Sequence, residues 1–106
     1  MNYRYMRVLV MFDLPVTTPI GRREYTQFRK YLIKDGFMMM QESIYSKLAQ
    51  NQASANAIIE RVKINKPTHG LVQILTITEK QYSNIEMIVG EKKSDIISTS
   101  ERMVVL

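Results

Sequence analysis

The stretch Met6-Arg-Val-Leu-Val-Met-Phe-Asp-Leu-Pro15 decides how the rest of the chain must fold. It is an apolar run of strand length that ends in one carboxylate, Asp13, and Pro15 lacks the N–H needed to carry a ladder further. Asp13 therefore belongs at a strand tip. Strand alternation places Met6, Val8, Val10 and Phe12 on one face and Arg7, Leu9, Met11 and Asp13 on the other. Both faces are apolar and both need cover. The chain's own helices supply one cover, and a second molecule is the expected source of the other, which would bring two copies of Asp13 near one axis.

Working outward, Thr18 is a good N-cap and Pro19 fits the first turn of a helix that Asp35-Gly36 ends, with Gly36 as the left-handed cap. Tyr25, Phe28 and Leu32 form its buried stripe. Arg23, Gln27, Lys30 and Lys34 lie opposite, with Arg22 and Arg29 on a flank, and Thr18 to Asp35 holds five cations against two anions. Phe37 to Gln41 and Ser43 to Leu48 read as two short strands, with Met38 to Met40 filling core space. Asn51 to Asn65 is a second helix, because Ala55, Ile58, Ile59 and Val62 recur at helical spacing, and Pro67 and Gly70 close it. Leu71 to Thr78 is a β-branched strand. Thr78-Glu-Lys-Gln81 has capping-box spacing and predicts one helical turn. Asn84 to Val89 alternates as a further strand, and Met103 to Leu106 is a last one.

This order contains βαββαβ, the split βαβ of ferredoxin-like domains. The expected architecture is an α+β ferredoxin-like sandwich, a single domain over residues 1–106, with an additional C-terminal strand. Two helices on one sheet face leave the other face apolar and bare, which predicts a homodimer through the sheet face. At 106 residues a lone domain has a thin margin of buried surface, and dimerisation adds to it.

Composition narrows the function. The absence of cysteine excludes disulfides, thiol catalysis and cysteine metal sites, and favours a cytoplasmic protein. No run approaches the roughly 18 apolar residues of a membrane span, and the N-terminus lacks the pattern of a signal peptide. A net charge of +5 favours an anionic partner such as nucleic acid. The single histidine, His69, sits in a turn sequence with no carboxylate or serine tied to it by spacing. Ser43, Ser46, Ser98 and Ser100 match no nucleophile elbow, and Gly21, Gly36, Gly70 and Gly90 are too scattered for a phosphate loop.

Two features carry chemistry. Asp13 is either a turn or N-cap residue, or, doubled across a dyad, the carboxylate pair that Mg²⁺ needs besides waters and substrate phosphates. The first helix's cations, Arg22, Arg23, Arg29, Lys30 and Lys34, have no acid ladder at i, i+4, and suit phosphate tracking better than a merely solvated face. Nothing resembles a base-reading recognition helix or zinc finger.

The set Met11-Phe-Asp13-Leu-Pro, Arg22-Arg-Glu-Tyr-Thr-Gln-Phe-Arg-Lys-Tyr-Leu32, Gly36-Phe37 and Gln41-Glu-Ser-Ile-Tyr-Ser-Lys47 resembles the small CRISPR-associated adaptation protein, the Cas-two family, and within it the branch found with type II-A systems. The resemblance implies a ferredoxin-like homodimer whose late strand pairs with the partner's sheet. It also implies a part in acquiring new spacers, in which the dimer bridges integrase subunits and holds double-stranded prespacer DNA on its basic surface. Some members are described as metal-dependent ribonucleases or deoxyribonucleases that use the aspartate ending the first strand, a position Asp13 inherits. Phe12 matches the aromatic residue before that aspartate, and Ser43-Ile44-Tyr45 matches the family's Ser-hydrophobic-aromatic triplet. The chain departs where many relatives have a tyrosine before the aspartate and an arginine before the triplet, since it has Phe12 and Met38 to Met40 there. That departure favours a DNA-binding adaptor over the alternative, a Mg²⁺-dependent endonuclease using paired Asp13. The fold alone also allows a dimeric small-molecule regulator, which has no need of a row of cations.

Overall fold

The computed structural model describes residues 5–90. Within them the elements run β1 (Met6–Asp13), α1 (Pro19–Lys34), β2 (Met38–Gln41), β3 (Ile44–Ala49), α2 (Gln52–Ile64), β4 (Leu71–Thr78) and α3 (Glu79–Ser83). The strands form one sheet in the order β2-β3-β1-β4 with every neighbouring pair antiparallel, the ferredoxin-like arrangement expected from the element order.

β1 is central because its residues have partners on both sides: Leu9 lies opposite Ser46 and Leu75, and Val10 opposite Tyr45 and Ile74. Its even-numbered face joins Phe28 and Leu32 of α1 with Ala55, Ile58 and Val62 of α2 in a single core, in which Val8 and Val10 are fully buried. Phe12 is the hub of the aromatic part. It meets Phe28 edge-on at 5.1 Å, and Tyr25 and Tyr45 at 5.8 Å each.

The opposite face is partly closed by α3. The Arg7 guanidinium donates to both Glu79 carboxylate oxygens at 2.9 and 2.6 Å and lies 4.2 Å over the Tyr82 ring, while the Tyr82 hydroxyl is 3.5 Å from the buried Ser46 Oγ. α3 starts where its sequence says it should: Thr78 Oγ1 accepts from the Gln81 N–H, and the Gln81 side chain accepts from the Thr78 N–H. Among the described residues nothing beyond α3 covers this face. Leu48, Leu71, Leu75 and Met38, which the strand registers place on it, are 45 to 68% exposed.

Three expectations need correction. Met38 to Met40 do not fill the core, because β2 is an edge strand paired on one side only and all its residues are exposed. Asn84 to Val89 forms no strand: the stretch alternates but has no neighbouring strand among the described residues to complete a ladder, and Met87, Ile88 and Val89 are 70 to 87% exposed. The second hairpin strand starts at Ile44, because Glu42-Ser43 makes the turn and Ser43 takes a positive φ of 71°. The expected strand Met103 to Leu106 lies outside the described residues.

Candidate nucleic-acid interface and the Asp13 strand tip

α1 turns its cations outward because its start and its buried stripe are both fixed. The Thr18 side chain accepts from the Gly21 N–H, and Gly21 lies so close to the preceding loop that a Cβ there would sit 2.3 Å from the Pro15 carbonyl oxygen. With Phe28 and Leu32 in the core, Arg23, Gln27, Lys30 and Lys34 fall on the solvent side, and all are exposed. Arg22 is exposed and its guanidinium reaches the Val16 carbonyl at 3.3 Å. Arg29 is exposed on the flank, lining a cleft with Tyr25, Thr26, Met39 and Met40. Among the described residues none of these five cations has an ion-pair partner within 4.0 Å.

The acid at the C-terminal end of the helix, beside Lys34, is already taken. Asp35, the C-cap, accepts from Arg61 at 3.0 and 3.2 Å and lies 3.5 Å from Lys47 Nζ, which also donates to the Asp35 carbonyl. This node ties α1 to α2 and β3, and it leaves the charge of the α1 ridge uncompensated. Sequence spacing gives no hint of it, since Arg61 lies 26 positions from Asp35.

Near the node, the Tyr31 hydroxyl is buried with no hydrogen-bond partner among the described residues. Burial, and next the Asp35 carboxylate, push its pKa above the ordinary value of 10.0. The folded state therefore holds the phenol proton more tightly than the unfolded chain. The corresponding stability is complete below pH 10 and is lost as pH rises through the folded value. Tyr31→Phe removes this loss and leaves no stranded hydroxyl. It is expected to be neutral or stabilising by up to about 1 kcal/mol at pH 7, and to flatten the alkaline limb of melting temperature against pH.

Asp13 ends β1, exposed, between the buried Phe12 and Leu14. The Phe12 N–H donates to the Ser43 carbonyl at 3.0 Å, which brings the β2–β3 turn beside it. From the other side Gly70, at a φ of +96°, lets the start of β4 close on this tip: a Cβ there would sit 2.6 Å from Leu14 Cδ2 and 2.9 Å from the Asp13 carbonyl oxygen. The result is a shallow cleft of about 250 Å³ lined by Asp13 with Met11, Glu42, Ser43, Leu71 and Gln73. Asp13 caps no helix, since Thr18 holds that place, and its side chain makes no hydrogen bond among the described residues.

Donor supply tests the Mg²⁺ expectation. Among the described residues no three His, Asp or Glu side chains converge to hold a metal ion. One chain offers Asp13, with Glu42 lining the same cleft, and a hard divalent cation would need carboxylates from a second copy, waters and substrate phosphates to complete its shell.

Other positions that carried the resemblance are structural. Phe12 and Tyr45 are core residues, 6% and 1% exposed. Lys47 is committed to Asp35. His69 is an exposed turn residue whose Nδ1 lies 3.9 Å from Glu24. Sequence reasoning passed over the Arg7–Glu79–Tyr82 contact, in which Arg7 and Glu79 are 72 positions apart, and Lys66, which lies in a groove beside α1.

The chain joins a ferredoxin-like α+β fold to a basic helix face and an exposed carboxylate at a strand tip. The family of the CRISPR associated protein Cas2 matches residues 6–85, and the chain belongs to that family. It is 54% identical over 101 residues to a CRISPR-associated endoribonuclease Cas2 of Treponema denticola, covering 95% of this chain and 100% of that protein. It is 42% identical to proteins of the same name from Lacticaseibacillus rhamnosus and Streptococcus mutans, over 95% of this chain and 100% and 93% of theirs. A crystal structure of Cas2 superposes with a TM-score of 0.56 at 22% identity, covering 85% of this chain and 92% of that one, and supports the fold. Among the described residues no helix is long and apolar enough to cross a membrane.

Proposed function

We propose that this chain is a CRISPR spacer-acquisition protein: a homodimeric, double-stranded-DNA-binding adaptor that bridges integrase subunits and holds prespacer DNA on α1. The observation that carries this reading is the row of exposed α1 cations without acidic partners among the described residues, because such a row meets phosphates with no ion pair to break first. The open sheet face supports the dimer, since Leu48, Leu71 and Leu75 leave apolar surface on it beside the buried Leu9. A second reading, a Mg²⁺-dependent endonuclease cutting RNA or DNA, is favoured by the names of the relatives and by the exposure of Asp13. In that reading the two Asp13 carboxylates of a dimer hold the ion.

The deciding experiment is reconstitution: the neighbouring integrase subunit is purified with and without this chain, and insertion of a labelled prespacer into a repeat-containing plasmid is followed. Insertion is expected to need this chain and to fall steeply as salt rises. Equal insertion without it, or a monomer in sedimentation at micromolar concentration, removes the adaptor reading.

A further inference from the structure

A groove of about 230 Å³ runs between α1 and the connection from α2 to β4. Phe28 and Tyr31 form its apolar side, with ring centroids 6.4 Å apart. Its polar lining comes from Gln27 and Glu24 on α1 and from Asn65, Lys66 and Thr68 on the connection. Gln27 is shared with the basic ridge, where it sits between Arg23 and Lys30, so the groove opens directly off the cation row. Asn65 Nδ2 is occupied by the Arg61 carbonyl at 2.8 Å. The side chains of Gln27, Lys66 and Thr68 make no hydrogen bond among the described residues, and Lys66 has no ion-pair partner among them.

We propose that this groove is a second seat for the DNA backbone, in which Lys66 pairs with a phosphate and Gln27 and Thr68 donate hydrogen bonds to the same strand. The inference rests on the duplex-binding reading of α1 and extends its footprint onto a second element. The chemistry is that of a phosphodiester: a cation and two neutral donors beside a row of further cations. One group opposes it. Glu24 is the acid in the groove, with its side chain 20% exposed, and among the described residues the basic side chain within 4.0 Å of it is the His69 imidazole, at 3.9 Å. A phosphate seated there is held by Lys66 and repelled by Glu24, so neutralising each residue must move affinity in opposite directions.

The test uses the full chain and a fluorescent duplex of arbitrary sequence, titrated across a range of salt at fixed pH. Lys66→Gln is expected to lower the log-log salt slope by about 0.9 and to weaken binding about eightfold at 0.1 M salt. Glu24→Gln is expected to tighten binding roughly twofold to fivefold through removal of one nearby like charge. Thermal melts of both variants matched to the parent secure the fold. If Lys66→Gln leaves the slope unchanged while charge reversal on α1 lowers it, the second seat is overturned and the ridge stands. If reversal on α1 leaves the slope unchanged, the ridge reading falls and the second seat, which extends it, falls with it. Weaker or unchanged binding by Glu24→Gln also overturns the seat.

Discussion

Lys30→Glu combined with Lys34→Glu is expected to weaken duplex DNA binding about a hundredfold at 0.1 M salt, with no loss of folding. Each phosphate contact contributes a slope of about 0.9 in log affinity against log salt, so two lost contacts account for roughly 60-fold at that salt and the new like charges supply the rest. Both side chains are exposed and neither is ion-paired among the described residues, so no stabilising contact is broken by the change. On the adaptor reading the effect is independent of sequence, because the cations pair with phosphates, which carry no sequence information directly. Anisotropy titrations against two duplexes of unrelated sequence measure both properties. Parent-like affinity in the double variant would reduce the ridge to a solvated face.

Much of the fold is written locally in the chain. Thr18, Asn51 and Thr78 each stand as the cap of a helix and each accepts a backbone N–H in the structure, so all three helix starts follow from residue type and spacing. β1 ends at Asp13, ahead of Pro15, as the missing proline N–H demands. The errors have a common origin in pairing, which is not local. Met38 to Met40 have the apolar character of core residues, and only their place at the sheet's edge exposes them. Ile85, Met87 and Val89 alternate as a strand should, but alternation organises a ladder only where a neighbour is available.

The site divides in the same way. The α1 ridge is a property of one helix, and its period alone places Arg23, Lys30 and Lys34 away from Phe28 and Leu32. That its cations go unpaired depends on Asp35 being drawn to Arg61 and Lys47, residues of two other elements, and on Glu24 facing the groove beside His69. The Lys66 groove depends on how α1 packs against the connection leading to β4, and no spacing in the sequence encodes that approach. The positions that carry the resemblance are not all at the surface. Phe12 and Tyr45 sit at motif positions beside Asp13 and Ser43, and the structure puts both rings in the aromatic core, where they hold the strand tip in place from beneath.

Asp13→Asn is expected to separate the two functional readings with an all-or-none effect. The substitution keeps the shape of an exposed side chain that makes no hydrogen bond among the described residues, so the monomer loses no contact. In a dimer that brings two Asp13 copies together, it removes a repulsion between like charges, and dimer stability should stay level or rise slightly. Any Mg²⁺-dependent cleavage of RNA or DNA should fall to background, because one chain gathers no other donor set for a metal among the described residues and the amide is a poor substitute for a carboxylate toward a hard cation. DNA binding through α1 and insertion of prespacers should remain near the parent level, since none of the five α1 cations lines the Asp13 cleft. Cleavage and insertion assays run in parallel on the variant, with sedimentation as the control, distinguish the two outcomes. Loss of insertion at unchanged dimer stability would place Asp13 inside the main function and end the adaptor assignment.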